Sequence, residues 1–110
     1  MKCPNCGNSM DCSLSIKTEL EDRPIYTDYQ WWDCKYCNRK YFGILEDSKV
    51  SIFDDTLEHT GYNANVEVWA KTLKWALQCP SPRNVLCKCE IHQQIPPAGF
   101  HGDSAWYTNE

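Results

Sequence analysis

The sequence predicts a small α+β protein: an antiparallel sheet of three to four strands, one packed helix and a loop-rich C-terminal tail. Three observations predict it. Apolar and polar residues alternate over residues 10–17, which is typical of a half-buried strand. Apolar residues recur at helical spacing over residues 63–78. Residues 79–110 are broken by proline and glycine, and we expect this aromatic tail to pack on the sheet. A chain of 110 residues suits a single domain spanning residues 1–110.

The strands of the predicted sheet follow one another along the chain. The first covers residues 10–17, a charged turn follows at residues 18–24, and further strands are expected at residues 25–33, 39–45 and 49–53. Trp31 and Trp32 are adjacent in the second strand, so they must point to opposite faces of the sheet. Cys12 falls on the apolar side of the first strand, where we expect a small buried thiol rather than a metal ligand.

A single amphipathic helix is predicted after an irregular passage over residues 54–62. Its apolar stripe consists of Val66, Trp69, Leu73 and Leu77. Asn63 or Asn65 can cap the start of the helix, and Pro80 ends it because proline cannot continue the hydrogen-bond ladder. We expect the stripe to lie across the sheet, which would leave Lys71 and Lys74 facing outward.

Two Cys-x-x-Cys pairs form the strongest candidate site. They read Cys3-Pro4-Asn5-Cys6-Gly7 and Cys34-Lys35-Tyr36-Cys37-Asn38, with 27 residues between them. Two intervening residues let the chain turn so that both sulfurs of a pair point at one ion. Gly7 and Asn38 suit that turn because they tolerate positive φ. The predicted ligands of one Zn²⁺ are Cys3, Cys6, Cys34 and Cys37. Four thiolates would form a closed structural shell with no open position for water.

These pairs resemble the zinc-ribbon superfamily, whose first pair often reads Cys-Pro-x-Cys-Gly, as residues 3–7 do. The resemblance covers residues 1–46 and implies three antiparallel strands attached to two metal-binding turns. Rubredoxins are similar in ligand number, but they are shorter and their second pair usually carries Pro and Gly where this chain has Lys35 and Asn38. A rubredoxin-like iron redox protein is therefore the least favoured of the functions considered.

A second group of candidate ligands lies in the tail, with the spacing Cys79-x7-Cys87-x-Cys89-x2-His92. In a strand, Cys87 and Cys89 would present their sulfurs on the same face. The fourth ligand of a second zinc ion could be His92, His101 or Cys12. The spacing is not a standard motif, and buried cysteines in a packed tail would explain it equally well. The sequence leaves both interpretations open.

The net charge and the cysteine content indicate which cellular compartment and which classes of partner suit this chain. Eleven Lys and Arg against fifteen Asp and Glu give a formal net charge of −4, and zinc-bound thiolates would make it more negative. A phosphate backbone repels such a chain unless its basic residues cluster, as Lys35, Arg39 and Lys40 do. No apolar stretch resembles a signal peptide or a membrane span. We therefore expect a reducing, cytoplasmic setting without membrane contact, in which cysteines bind metal rather than form disulfides.

No enzyme is predicted, since the chain lacks a zinc-deaminase motif, a glycine-rich phosphate loop and His-Glu-x-x-His. We predict a non-catalytic zinc-binding protein that serves as a protein–protein interaction module with an unidentified protein partner. Its five Trp and six Tyr exceed what one thin sheet can bury, and such residues anchor interfaces. The alternative is a nucleic-acid-binding zinc ribbon of transcription or translation that acts through Lys35, Arg39 and Lys40.

Overall fold

The computed structural model describes residues 1–19, 25–51 and 54–109, which form a five-stranded antiparallel sheet with two helices. The strands lie side by side in chain order. Within this part of the chain, neither helix is long and apolar enough to cross a membrane. The elements are β1 (Asp11–Glu19), β2 (Ile25–Asp33), β3 (Lys40–Ser51), β4 (Asp54–Asn63), α1 (Val66–Ala76), α2 (Glu90–Gln94) and β5 (Ser104–Asn109).

The fold is small α+β as predicted, but the prediction of a three- to four-stranded zinc ribbon is wrong. Residues 54–62, expected to be irregular, belong to β4 and pair with β3. Residues 104–109 of the expected loop-rich tail add β5 to the outer side of β4. β4 escaped prediction because its sequence, Asp-Asp-Thr-Leu-Glu-His-Thr-Gly-Tyr-Asn, carries polar residues on both faces. β4 lacks the alternation of apolar and polar residues that is typical of a half-buried strand. Pairing with β3 and β5 on its two sides stabilises it.

The predicted strand limits also shift. Thr18 and Glu19, expected in the first turn, belong to β1, and residues 20–24 of that turn lie outside the described residues. The strands predicted at residues 39–45 and 49–53 form a single strand, β3, as far as Ser51. Residues 52 and 53 lie outside the described residues.

Cys12 is exposed, so its prediction as a small buried thiol is wrong. The register between β1 and β2 shifts between Cys12, which pairs with Trp32, and Leu14, which pairs with Trp31. One extra residue in a strand moves the side chains on either side of it onto opposite faces of the sheet. Cys12 therefore leaves the face that Leu14 shares with the core, and its thiol lies 3.3 Å from the carbonyl oxygen of Leu14.

Asn65 caps helix α1, which confirms one of the two predicted caps. Its side-chain oxygen accepts hydrogen bonds from the backbone N–H groups of Glu67 (2.9 Å) and Val68 (3.2 Å). Asn63, the other candidate, is the last residue of β4. Lys71 and Lys74 are exposed, as expected.

The buried face of α1 is rotated from the predicted apolar stripe. That stripe included Val66 and Leu77, which are 55% and 58% exposed. Trp69 of that stripe is buried as predicted, and the other buried residues of α1 are Thr72 and Ala76. Thr72 can be buried because its hydroxyl is satisfied, accepting a hydrogen bond from Trp31 Nε1 (3.0 Å) and donating to the carbonyl of Val68 (2.7 Å).

The main core lies between α1 and one face of the sheet, and the C-terminal tail completes it. The ring centroid of Phe100 lies 4.4 Å from that of Phe42 and 5.0 Å from that of Trp31. These aromatic pairs join the tail to β2 and β3. The buried members of this core are Ile16, Trp31, Phe42, Trp69, Ala76, Cys79, Ile91 and Phe100.

The opposite face of the sheet carries a polar network that no sequence motif predicted. Trp32 lies on this face, as expected for the neighbour of Trp31, and its Nε1 donates to Gln30 Oε1 (2.8 Å). His59 Nε2 lies 2.8 Å from the same oxygen. Burial lowers the pKa of His59, so we infer a neutral imidazole that donates from Nε2. The side-chain oxygen of the buried Gln30 is thereby hydrogen-bonded by residues from β2 and β4.

Gly61 of β4 allows the Trp106 indole to lie flat on the sheet. A Cβ at position 61 would overlap the ring carbons of Trp106. We expect Gly61→Ala to displace the indole and to lower the free energy of unfolding by about 1–3 kcal/mol. Urea denaturation measures the change, with the exposed Thr108→Ala as the control in β5. Equal denaturation midpoints for Gly61→Ala and the parent protein would contradict this packing.

Candidate metal centres

The first candidate centre brings together all four cysteines of the two Cys-x-x-Cys pairs. The sulfurs of Cys3, Cys6, Cys34 and Cys37 all lie within 4.8 Å of one another. The sulfur separations are 3.7 Å for Cys3–Cys37 and 3.5 Å for Cys6–Cys34. A tetrahedral ion with metal–sulfur bonds of about 2.3 Å needs sulfurs about 3.8 Å apart. The four thiols are therefore close to the positions that such an ion requires.

The two turns that hold these cysteines have the backbone predicted from the sequence. Gly7 has φ 78° and Asn38 has φ 61°, so each pair is followed by a residue in the left-handed region. The N–H of Gly7 donates to the carbonyl of Cys3 (2.9 Å), and the N–H of Cys34 donates to the carbonyl of Arg39 (2.9 Å). These bonds close each turn around its own pair of sulfurs.

The surroundings of the first centre shift the pKa values of Cys3 and Cys34 in opposite directions. Burial alone would raise the pKa of Cys3, but hydrogen bonds from the Tyr41 hydroxyl and the backbone outweigh it and lower the pKa to about 6. Burial raises the pKa of Cys34 to about 11. Metal binding must displace the proton of the Cys34 thiol, so the affinity for metal falls as the pH falls.

The second candidate centre assembles in the tail with His92 as its fourth member. Cys79, Cys87, Cys89 and His92 present ligand atoms within 4.8 Å of one another. The Cys79 sulfur lies 3.9 Å from that of Cys87 and 3.4 Å from that of Cys89. His92 Nδ1 lies 3.2 Å from the Cys79 sulfur and 3.4 Å from the Cys89 sulfur. Cys12 and His101, the other candidates for the fourth ligand, are exposed and lie outside this group.

Cys87 and Cys89 are not in a strand, so that part of the prediction is wrong. Cys89 is the N-cap of α2, and its sulfur accepts a hydrogen bond from the backbone N–H of His92 (3.4 Å). Burial tends to raise the pKa of Cys89, but this backbone hydrogen bond and the contacts with the thiols of Cys79 and Cys87 outweigh it and lower the pKa to about 6. Cys79 follows the end of α1, and burial raises its pKa to about 12.

The orientation of His92 matches that of a metal ligand. Its Nε2 lies 3.1 Å from the carbonyl oxygen of Lys17 in β1, so Nε2 carries the proton and the lone pair of Nδ1 faces the cysteines. Metal-bound histidines typically donate their second N–H to a carbonyl or carboxylate in this way. The N–H of the same Lys17 donates to the carbonyl of Pro82 (2.8 Å). The second centre is thereby attached to the edge strand β1.

Two of the three basic residues near the second Cys-x-x-Cys pair have an acidic neighbour. Lys35 lies 4.0 Å from Asp11, and Lys40 is paired with Asp33. Lys40 also lies over the ring of Trp69, 5.0 Å from its centroid. Arg39 lines a separate cavity of about 210 Å³. The paired carboxylates reduce the charge that Lys35 and Lys40 could offer to a phosphate.

Comparison of the chain with protein-family models, curated proteins and solved structures found no match. The class of protein therefore rests on the fold and the two clusters. This is a small α+β protein in which two cysteine-rich groups could each bind a metal ion.

Proposed function

We propose that this protein is a non-catalytic, cytoplasmic zinc protein that binds two Zn²⁺ ions and serves as a protein–protein interaction module. The observation that carries the proposal is the convergence of two separate sets of four ligands at spacings close to a tetrahedron. Thiolate and imidazole ligands in such sets are those that zinc uses in structural sites. Seven of the eight cysteines belong to these two groups, and cysteines that bind metal suit a reducing compartment.

The second centre favours zinc over iron. A rubredoxin-like iron site needs four cysteines, and only the first centre offers them. The second centre combines three cysteines with the Nδ1 of His92, a ligand set common among structural zinc sites. One metal that suits both centres is the simpler assignment. Zinc is also redox-inert, so this assignment implies no electron transfer.

A structural role follows from the ligand count and from the elements that the ligands join. Four protein ligands fill a tetrahedral shell and leave no position for a substrate or a reactive water. The first centre joins the N-terminus to the β2–β3 connection, and the second joins the tail to α1 and β1. Each ion would stabilise contacts between distant parts of the chain.

Exposed apolar side chains support the interaction role. Leu86 is 76% exposed, and Tyr36 and Tyr107 are 62% and 58% exposed. Large residues of this kind anchor protein interfaces when a partner covers them. The negative net charge and the paired lysines give less support to nucleic acid as the partner.

Metal counting tests the zinc proposal. We expect the purified protein to be colourless and to carry two zinc ions per chain by native mass spectrometry and elemental analysis. Cys12→Ser should retain both ions, because Cys12 lies outside both clusters. A coloured protein with iron at the first centre, or one zinc ion or none, would overturn the assignment.

A further inference from the structure

An open groove runs between α1 and the segment that leads from α2 into the tail. Its volume is about 600 Å³, which falls in the range of ligand-binding clefts. It lies apart from both candidate metal centres, since none of their ligands lines it. The lining residues are Val68, Lys71, Thr72, Trp75, Gln94, Pro96, Pro97, Ala98 and Gly99.

The walls of the groove are held in place by the protein itself. Phe100, directly after the lining segment, is buried in the main core, and its N–H donates to the carbonyl of Pro97 (3.1 Å). Gly99 has φ 88°, and a Cβ at this position would lie 2.8 Å from Val68 Cγ1. The lining segment therefore approaches α1 too closely for a larger residue there. A groove that exists before binding costs little ordering entropy when it is filled.

The chemistry of the lining defines what would bind. Val68, Trp75 and the two prolines offer apolar surface. The hydroxyl of Thr72 is already hydrogen-bonded to Trp31 and Val68, so it is not available to a ligand. Lys71 is the one charged residue among the lining residues, and it is exposed. Within the described residues, the ion pairs are Lys35–Asp11, Lys40–Asp33 and Arg83–Asp28, so Lys71 has no acidic partner.

We propose that this groove receives an extended, acidic segment of a partner protein, with an apolar side chain against Trp75 and Pro96 and a carboxylate beside Lys71. The proposal rests on the interaction role proposed above and names its surface. Local charge complementarity argues for an acidic segment, since no carboxylate of the described residues forms an ion pair with Lys71, the one charged lining residue. The groove is partly open to solvent and is lined by Trp75, and aromatic side chains line many grooves that bind extended peptides.

A peptide selection tests the proposal with a defined probe. Random short peptides displayed on phage would be selected on the zinc-loaded, full-length protein. We expect enriched peptides that combine an aromatic or aliphatic residue with Asp or Glu nearby. Their affinities would then be measured by fluorescence anisotropy with synthetic, labelled copies. Enrichment of basic peptides, or no enrichment, would overturn the proposal.

Three variants then locate the bound peptide. Lys71→Glu should weaken binding roughly tenfold or more, equivalent to about 1.4 kcal/mol. Lys74→Glu makes the same charge change one helical turn away, outside the groove lining, and should weaken binding by about threefold or less, because it removes no contact with the peptide. Ala98→Trp should block binding by filling the groove. All three positions are exposed, and an unchanged zinc count and circular dichroism spectrum would confirm the fold.

The outcomes separate this proposal from the broader function. Peptides that bind equally well to Lys71→Glu and Ala98→Trp would overturn the groove as the docking site, while an interaction role through another surface would stand. Loss of zinc binding would overturn the metal assignment and leave the groove to be tested by the same variants.

Discussion

Replacing Cys34 with serine is expected to unfold most of the chain, because this buried thiol completes the first metal centre. Structural zinc contributes on the order of 10–16 kcal/mol in small zinc domains, comparable to or above the roughly 5–15 kcal/mol net stability of a typical domain. Cys34 is fully buried between β2 and β3, so its loss also leaves a defect beside Tyr41. Circular dichroism, thermal melting and zinc counting would show the loss of structure together with the loss of metal.

Cys12→Ser is the matched control for this prediction. It makes the same chemical change in an exposed cysteine of β1, the strand beside β2, and this cysteine lies outside both clusters. We expect its melting temperature and zinc content to equal those of the parent protein. A Cys34→Ser protein that melted cooperatively at the temperature of the control would show that the first centre does not stabilise the fold.

The second large effect is expected from Cys89→Ser, which should remove one zinc ion and loosen the segment around α2 without unfolding the sheet. Serine is itself a favoured N-cap, so the substitution keeps the cap of α2 while removing a metal ligand. The strand pairings of β1 to β4 involve no residue of the tail. The loss should therefore be local, with cleavage by limited proteolysis between residues 79 and 100 at least tenfold faster, equivalent to about 1.4 kcal/mol of local stability.

Loosening of the segment around α2 should also change the edge of the sheet. His92 and Pro82 hydrogen-bond to Lys17 and so cover part of β1, and an uncovered edge strand pairs readily with other chains. We expect Cys89→Ser to associate in a concentration-dependent way in analytical ultracentrifugation. A variant that retained two zinc ions and resisted protease like the parent would refute a metal role for Cys89.

The structure confirms those predictions that depend on residues close together in sequence. The positive φ of Gly7 and Asn38 follows from the turn that each Cys-x-x-Cys pair makes. The cap at Asn65 follows from the side chain that best satisfies the free N–H groups of a helix start. Local geometry decides both features, so the sequence suffices for them.

Sequence patterns did not predict the features that depend on contacts between residues far apart in the chain. β4 is polar on both faces, so its extended state depends on β3 and β5 rather than on its own alternation. The exposure of Cys12 depends on a register shift against β2, which no local pattern records. The rotation of α1 that buries Thr72 depends on a hydrogen bond from Trp31, 41 positions earlier in the chain.

The sequence by itself determined that four cysteines in two tight turns could face one ion, because ligand spacing within each turn is a local property. Only the tertiary structure decided that His92 joins Cys79, Cys87 and Cys89 in a second group, because the contact with Lys17 that orients its imidazole forms when the tail returns to β1. The groove beside α1 has the same origin, since Phe100 must enter the core before the segment that precedes it can form a wall.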